Sequence, residues 1–102
     1  MLFHVKHVHT FESCPGQGGP EMISKTFGQV ARPEYAKEVG VKVLGKYLDV
    51  PGHVAYFILD ADSAEKVGKF LSRITLIGTA EITPVTDLAE EVTRKLEETK
   101  KK

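Results

Sequence analysis

The order in which strand-like and helix-like segments follow one another most restricts the fold of this 102-residue chain. Residues 2–9, 41–48, 53–59 and 78–85 have the apolar alternation or the composition of β-strands. The first and second of these segments, and the third and fourth, are separated by residues whose apolar positions recur about once per helical turn. The chain therefore predicts the order β-α-β-β-α-β, followed by one more helix.

Residues that favour helix ends mark the helix boundaries. Pro20 suits the first turn of a helix that is predicted to continue through Val30. A second helical piece is expected to end at Gly40, because glycine accepts the left-handed conformation that commonly follows a helix. Asp62 and Asp87 are predicted to cap the helices before and after the last strand, since a short acidic side chain accepts a hydrogen bond from a free N–H group there.

This order of elements is that of the ferredoxin-like split βαβ arrangement, an α+β fold, with a C-terminal helix added. The chain length predicts a single domain over residues 1–102. Residues 100–102, three consecutive lysines, are expected to fray into solvent. A chain this short buries only about two-thirds of its unfolded surface, so self-association is expected to contribute to stability.

Charge and composition exclude several classes of partner. Lys and Arg number 14, as do Asp and Glu, so the chain has no net charge to attract nucleic acid or an anionic membrane. The first strand carries histidines and a lysine where a signal peptide needs an apolar run, and a cytoplasmic protein is expected. The absence of asparagine together with many Glu and Lys residues favours a thermophilic source.

Histidines and the single cysteine are the strongest indication of chemistry. Alternate residues of a strand share a face, so His7 and His9 point the same way, whereas His4 points the opposite way. Cys14 follows in the next loop, and His53 opens the third strand, which this topology places beside the first. Imidazole and thiolate are ligands of zinc. The sequence predicts a metal site of His7, His9, Cys14 and His53 for zinc, or for iron, nickel or copper.

Glu12 and Cys14 are the candidate catalytic residues. Glu12 can act as a general base beside a metal-bound water. Cys14 stands just before a helix, whose positive end favours the thiolate and hence a nucleophile. The alternatives are that Glu12 is an exposed loop carboxylate, that Cys14 is a small apolar core residue, and that the histidines make ordinary hydrogen bonds.

Residues 41–47, 53–62 and 80–85 resemble segments of small members of the dimeric α+β barrel superfamily. The Asp60-Ala61-Asp62 sequence before a helix and the final Glu81-Ile82-Thr83-Pro84-Val85 carry the resemblance, which extends over nearly the whole chain. It implies a homodimer, or a higher homo-oligomer, whose two sheets pack face to face. It also implies a small-molecule ligand between a sheet and its own helices. Members include cofactor-independent monooxygenases, lactone isomerases and ligand-sensing domains.

Three functions are compatible with these observations. The first is a metal-binding protein or small metalloenzyme with a His/Cys site at the end of the first strand. The second is a metal-free monooxygenase-like or isomerase-like enzyme that acts on a small apolar molecule with a histidine as acid or base. The third is a non-catalytic ligand-binding dimer. Metal analysis of the untagged protein separates the first from the other two.

Overall fold

One open antiparallel sheet organises residues 1–100, the part of the chain that the computed structural model describes. Its strands are β1 (Leu2–Val8), β2 (Lys42–Asp49), β3 (Val54–Asp60) and β4 (Thr79–Val85). Each predicted strand is confirmed to within one residue at either end. The strands lie side by side in the order β2-β3-β1-β4, so the expected pairing of the first and third strands is confirmed.

Five α-helices complete the α+β fold, and the predicted fold class is confirmed at that level. They are α1 (Gly19–Lys25), α2 (Phe27–Ala31), α3 (Pro33–Val39), α4 (Ala64–Phe70) and α5 (Leu88–Lys100). Short 3-10 helices cover Pro15–Gly18 and Ile74–Leu76. Lys100 is the last residue of α5, and the rest of the predicted fraying falls on residues 101–102, outside the described residues.

The core lies between one face of the sheet and helices α2 to α4. Phe3 and Val5 of β1 and Phe57 of β3 point toward the helices and are at most 3% exposed. Phe70 of α4 meets Phe57 edge-on, with ring centroids 6.1 Å apart. Each such side chain contributes about 1.5–3 kcal/mol on burial. His7 occupies the next inward position of β1, and a histidine is thereby fixed in an otherwise apolar layer.

Thr26 divides the helix that the sequence predicts over residues 20–30, so the prediction of one continuous helix is wrong. The residue adopts φ −106° and ψ −90°, and its hydroxyl donates a hydrogen bond of 2.8 Å to the carbonyl of Met22. A buried threonine hydroxyl needs such a partner and competes with the helical hydrogen bonds. The break lets α2 start in a new direction with Phe27, whose ring lies against His7 and His9.

The cap of α4 is one residue later than predicted. The hydroxyl of Ser63 accepts from the backbone N–H of Lys66 at 3.3 Å, whereas Asp62 pairs with the Lys66 amine at 3.0 Å. Both residues are good caps, and the extended backbone at Ser63 selects it. The other two predicted helix ends are confirmed. Gly40 is left-handed at φ 77° after α3, and Asp87 accepts from the third residue of α5 at 3.0 Å.

A β-bulge interrupts the alternation of β2. Val43 and Gly45 pair with consecutive residues of β3, so Leu44 is the extra residue of the bulge. Beyond it, Lys46 and Leu48 lie opposite residues of β3 whose side chains face the helices. An uninterrupted strand would place both on the other face of the sheet, because the side-chain period is two.

Gly78, just before β4, has no room for a side chain. A Cβ there would overlap the carbonyl oxygen of Val8 and lie 2.9 Å from His7 Nε2. Gly78→Ala is therefore expected to lower the free energy of unfolding by about 1–3 kcal/mol, because the end of β1 must move. Urea unfolding measures this change.

Gly68 in α4 is the matched control. A Cβ at Gly68 meets nothing within 4 Å. Gly68→Ala is expected to raise the free energy of unfolding by up to about 1 kcal/mol, since alanine is the better helix former. Equal destabilisation by the two substitutions would contradict the close packing inferred at Gly78.

The C-terminal helix α5 is amphipathic, as predicted, and its apolar residues are solvent-accessible. Leu88, Val92 and Leu96 recur every four residues and are between 48% and 79% exposed. On the other side, the guanidinium of Arg94 bridges Glu91 and Glu98. Within residues 1–100, no helix has the length and hydrophobicity that crossing a bilayer requires.

Candidate metal centre

His9, Cys14 and His53 converge at one end of the sheet from three separate segments. His9 directly follows β1, Cys14 precedes the 3-10 helix Pro15–Gly18, and His53 directly precedes β3. Each offers one potential ligand atom, and these atoms all lie within 4.8 Å of one another. His9 Nε2 and His53 Nδ1 are 3.2 Å apart. Three of the four residues predicted as metal ligands are thus brought together.

The register of β1 against β3 places the two histidines side by side. Val8 pairs with Val54 at the end of the antiparallel ladder, so the next residues outward are His9 and His53. The backbone N–H of His9 donates to the carbonyl of His53 at 3.2 Å and extends the ladder by one bond. The register of the two central strands therefore fixes where the pair of imidazoles sits, one residue beyond the paired ladder.

His53 has an unusual backbone conformation. Among residues 1–100 it is the one residue other than glycine with a positive φ, at 56°. The left-handed region costs an L-residue roughly 1–2 kcal/mol. The turn before it holds this conformation: the N–H of His53 donates to Val50 at 3.3 Å, and that of Gly52 donates to Asp49 Oδ1 at 3.0 Å. Strain of this kind concentrates at functional sites.

Cys14 is brought back to His9 by a tight loop. Its N–H donates to the carbonyl of Phe11 at 3.2 Å, and its carbonyl accepts from the N–H of Gln17 at 3.1 Å. Pro15 is buried and starts the 3-10 helix, which anchors the loop on the domain. Cys14 is partly exposed and lines the cleft beside His9.

The environment of His9 favours the neutral form of its imidazole. Burial lowers the pKa of His9, and the neighbouring His53 and His7 lower it further. A neutral imidazole has the free lone pair that a metal requires. His9 is 6% exposed, and its Nδ1 atom is buried without a hydrogen-bond partner among the described residues.

His7 lies beside the three-residue group but outside it. It is fully buried, and its Nε2–H donates a hydrogen bond of 2.6 Å to the carbonyl of Ile74. The carbonyl can only accept, so the proton is on Nε2, and Nδ1 is left buried without a partner in residues 1–100. The His7 and His9 ring centroids are 5.8 Å apart. The structure therefore places His7 next to the candidate ligands, in the packed layer.

Three further residues, Glu12, His4 and Phe27, lie outside the group formed by His9, Cys14 and His53. Glu12 is exposed in the turn before Cys14 and is not one of the three converging residues. His4 is on the opposite face, 6.2 Å from the ring of Tyr56. Sequence reasoning missed Phe27 as a site residue: its ring centroid lies 5.7 Å from that of His7 and 5.6 Å from that of His9. Its position four residues after Ile23 is typical of the buried face of a helix, and the break at Thr26 redirects it.

The three candidate ligands line a cleft of about 280 Å³. Apolar side chains from α1, α2, β2 and the β2–β3 turn form most of the other walls: Ile23, Phe27, Leu48 and Val50. Asp49 also lines the cleft. Apolar walls lower the local dielectric and strengthen interactions between a bound ion and its ligands.

Acid is expected to destabilise the metal-free protein through His7. Burial lowers the pKa of His7 below its ordinary value of 6.5, and the hydrogen bond to Ile74 opposes this only in part. As the pH falls below about 6.5, the unfolded chain therefore binds a proton that the folded chain does not. The free energy of unfolding then falls by at most about 1.4 kcal/mol per pH unit for this histidine.

Urea unfolding between pH 7.5 and 5.5, above the range in which most carboxylates titrate, measures this loss. His7→Gln is the control, because its amide can still donate to the Ile74 carbonyl but does not titrate. The substitution is expected to reduce the pH dependence. An unchanged slope would contradict the assignment to His7.

The chain matches a protein-family model over nearly its whole length. The family is described as Domain of unknown function (DUF3303), and its model matches residues 1–99. Neither the comparison with curated proteins nor the comparison with solved structures gives a match.

Proposed function

We infer that the chain, which belongs to the DUF3303 family, is a metal-binding protein that holds one transition-metal ion through His9, Cys14 and His53. The observation that carries this proposal is the convergence of two imidazole nitrogens and one thiol sulfur within 4.8 Å of one another. His9 and Cys14 are joined by a short loop, whereas His53 lies 39 residues further along the chain. The fold brings all three together at the edge of a cleft that a ligand can enter.

The distance between the two histidines supports a tetrahedral ion. Zn–N bonds of about 2.0–2.1 Å at tetrahedral angles place two nitrogens about 3.3 Å apart. His9 Nε2 and His53 Nδ1 are 3.2 Å apart. Two neutral imidazoles can also share one N–H···N hydrogen bond at this separation, so metal uptake is the measurement that distinguishes the two arrangements.

Two imidazoles and one thiolate favour zinc, with iron, nickel or copper as the alternatives. Three protein ligands leave a fourth position of a tetrahedral ion, and the cleft gives water or a substrate access to it. A site of this kind supports Lewis-acid chemistry on a bound oxygen. Glu12, in the turn just before Cys14, is our candidate general base. We propose Cys14 mainly as a metal ligand, with the role of nucleophile as the alternative.

Cobalt substitution tests the site directly. Co²⁺ bound by a thiolate gives an intense sulfur-to-cobalt charge-transfer band in the near ultraviolet, and visible bands report a tetrahedral geometry. We expect both in the untagged wild-type protein at one ion per chain. Cys14→Ser is expected to remove the charge-transfer band and to weaken Co²⁺ binding by at least about tenfold, because a hydroxyl is a poorer ligand than a thiolate.

Glu12→Gln is the control from the same loop and is expected to keep both kinds of band. A charge-transfer band that persists in Cys14→Ser would exclude Cys14 as a ligand. Failure of the wild-type protein to bind Co²⁺ or Zn²⁺ would overturn the proposal, and the apolar cleft beside His9 would then favour a metal-free enzyme that acts on a small apolar molecule.

We also propose that the chain forms a homodimer of ferredoxin-like subunits, with the sheet face opposite the helices covered by a second copy. The strand order β2-β3-β1-β4 is compatible with that fold. Apolar side chains on this face are accessible, including Val8 at 39% and Tyr47 at 69% exposed. Sedimentation equilibrium at micromolar concentration tests the proposal, and a monomer throughout that range would contradict it.

A further inference from the structure

A second, apolar cleft adjoins the candidate metal centre. It has a volume of about 180 Å³ and lies between α2 and strands β2 and β3. Phe27 and Leu48 line both this cleft and the one that contains the three candidate ligands. The other residues that line the second cleft are Val30, Ala31, Lys46, Tyr47, Ala55 and Phe57. The space that a ligand can occupy therefore continues from the metal centre along the side of β2 that faces the helices.

The β-bulge of β2 gives this cleft its shape. Because Leu44 is the extra residue, Leu48 and Lys46 point to the helix side and form the outer wall. The Lys46 amine donates a hydrogen bond of 2.8 Å to the carbonyl of Ala31, the last residue of α2, and so closes the end that is distant from the metal centre. Bulges recur beside active sites for the same reason, because they redirect a side chain.

We propose that the site binds a small apolar monocarboxylate whose carboxylate oxygen is the fourth ligand of the metal and whose apolar body fills the adjoining cleft. This inference rests on the proposed metal site. A divalent ion with one thiolate and two neutral imidazoles retains a net charge of about +1, which an anionic oxygen neutralises. Of the residues that line the cleft, only Lys46 and Tyr47 carry polar side-chain groups, and the Lys46 amine donates to the Ala31 carbonyl. The remaining walls are apolar and favour a hydrocarbon body.

The test uses Co²⁺-loaded protein and 3-phenylpropanoate as the probe. The carboxylate is expected to shift the visible cobalt bands with a saturable dependence on concentration. Acetate has the same head but lacks the apolar body, and we expect it to bind about tenfold or more weakly, since each buried CH₂ or ring carbon adds to the affinity. The alcohol 3-phenylpropan-1-ol has the body without the charge and is also expected to bind more weakly.

Ala31→Phe is the variant that fills the cleft. Ala31 is an exposed helical residue at the cleft edge, so the substitution is compatible with folding. It is expected to weaken 3-phenylpropanoate binding by about tenfold while Co²⁺ binding and acetate binding stay unchanged. Ala64→Phe, at an exposed helical alanine of α4 outside the cleft, is the matched control and is expected to leave all three unchanged.

The outcomes separate this inference from the metal site itself. If the wild-type protein did not bind Co²⁺, both the metal site and the ligand assignment would be overturned. Normal Co²⁺ bands that do not respond to 3-phenylpropanoate would overturn the ligand assignment alone. Equal affinities for acetate and 3-phenylpropanoate, or equal effects of Ala31→Phe and Ala64→Phe, would overturn the role of the apolar cleft.

Discussion

Replacing His9 by alanine is expected to weaken Zn²⁺ binding by more than about a hundredfold, the upper end of the cost of losing even an outer-shell partner of a metal ligand. The reason is geometric: His9 Nε2 is 3.2 Å from His53 Nδ1, and both share the group with Cys14. Without His9, two ligands are left: Cys14 in the loop after β1 and His53 in the turn before β3. Competition with a chromophoric chelator measures the affinity.

The same substitution is expected to remove the stabilisation that Zn²⁺ gives. An ion that binds only the folded chain stabilises the protein by about 2.7 kcal/mol at a free concentration one hundred times its Kd. For a variant with a Kd a hundredfold higher, the same Zn²⁺ concentration gives only about 0.4 kcal/mol. In a domain of this size the difference corresponds to a shift in Tm of roughly 10 °C or more.

His4→Ala is the control, because it also removes one histidine from the N-terminal segment. His4 points to the face opposite the candidate ligands and lies against Tyr56, so its removal is expected to leave Zn²⁺ binding and the Zn²⁺-dependent rise in Tm unchanged. If His9→Ala kept the wild-type rise, the ion would have to bind elsewhere, and the proposed centre would be wrong.

The shared inward face of His7 and His9 was predictable from the sequence, but the different roles of the two residues were not. Alternation along residues 2–9 puts both on the buried face, and the element order puts the strand that follows His53 beside β1; both predictions are confirmed. The carbonyl that accepts a hydrogen bond from His7 Nε2–H belongs to Ile74, 67 residues away. Its position depends on how the 3-10 helix after α4 packs, and no local pattern in the sequence determines that packing.

The site also depends on local choices between nearly equal alternatives. Thr26 breaks the predicted helix and thereby turns Phe27 toward the histidines. Leu44 forms a bulge, and Leu48 consequently reaches the cleft. One threonine hydrogen bond and one extra residue in a strand separate what is observed from a continuous helix and a regular strand. Tertiary packing makes these choices, so the sequence predicted the ligand-bearing elements better than it predicted the cleft.

His53→Gly is expected to separate binding from stability. Glycine adopts the left-handed conformation of residue 53, at φ 56°, without the steric cost that an L-residue pays. In the absence of metal, the His53→Gly variant is therefore expected to be about 1 kcal/mol more stable to urea than His53→Ala. Both variants lack the imidazole and are expected to bind Zn²⁺ more than about a hundredfold more weakly than the wild type.

Gly40→Ala measures the cost of a left-handed L-residue elsewhere in the same chain. Gly40 has φ 77° at the end of α3, distant from the candidate ligands, so alanine there is expected to cost about 1 kcal/mol while Zn²⁺ binding stays unchanged. If the strain at residue 53 is retained for metal binding, the ranking of two proteins reverses on adding Zn²⁺. Without Zn²⁺, His53→Gly should be at least as stable as the wild type. With Zn²⁺, it should be less stable than the wild type. If the ranking did not reverse on adding Zn²⁺, the strained conformation would not be explained by the metal site.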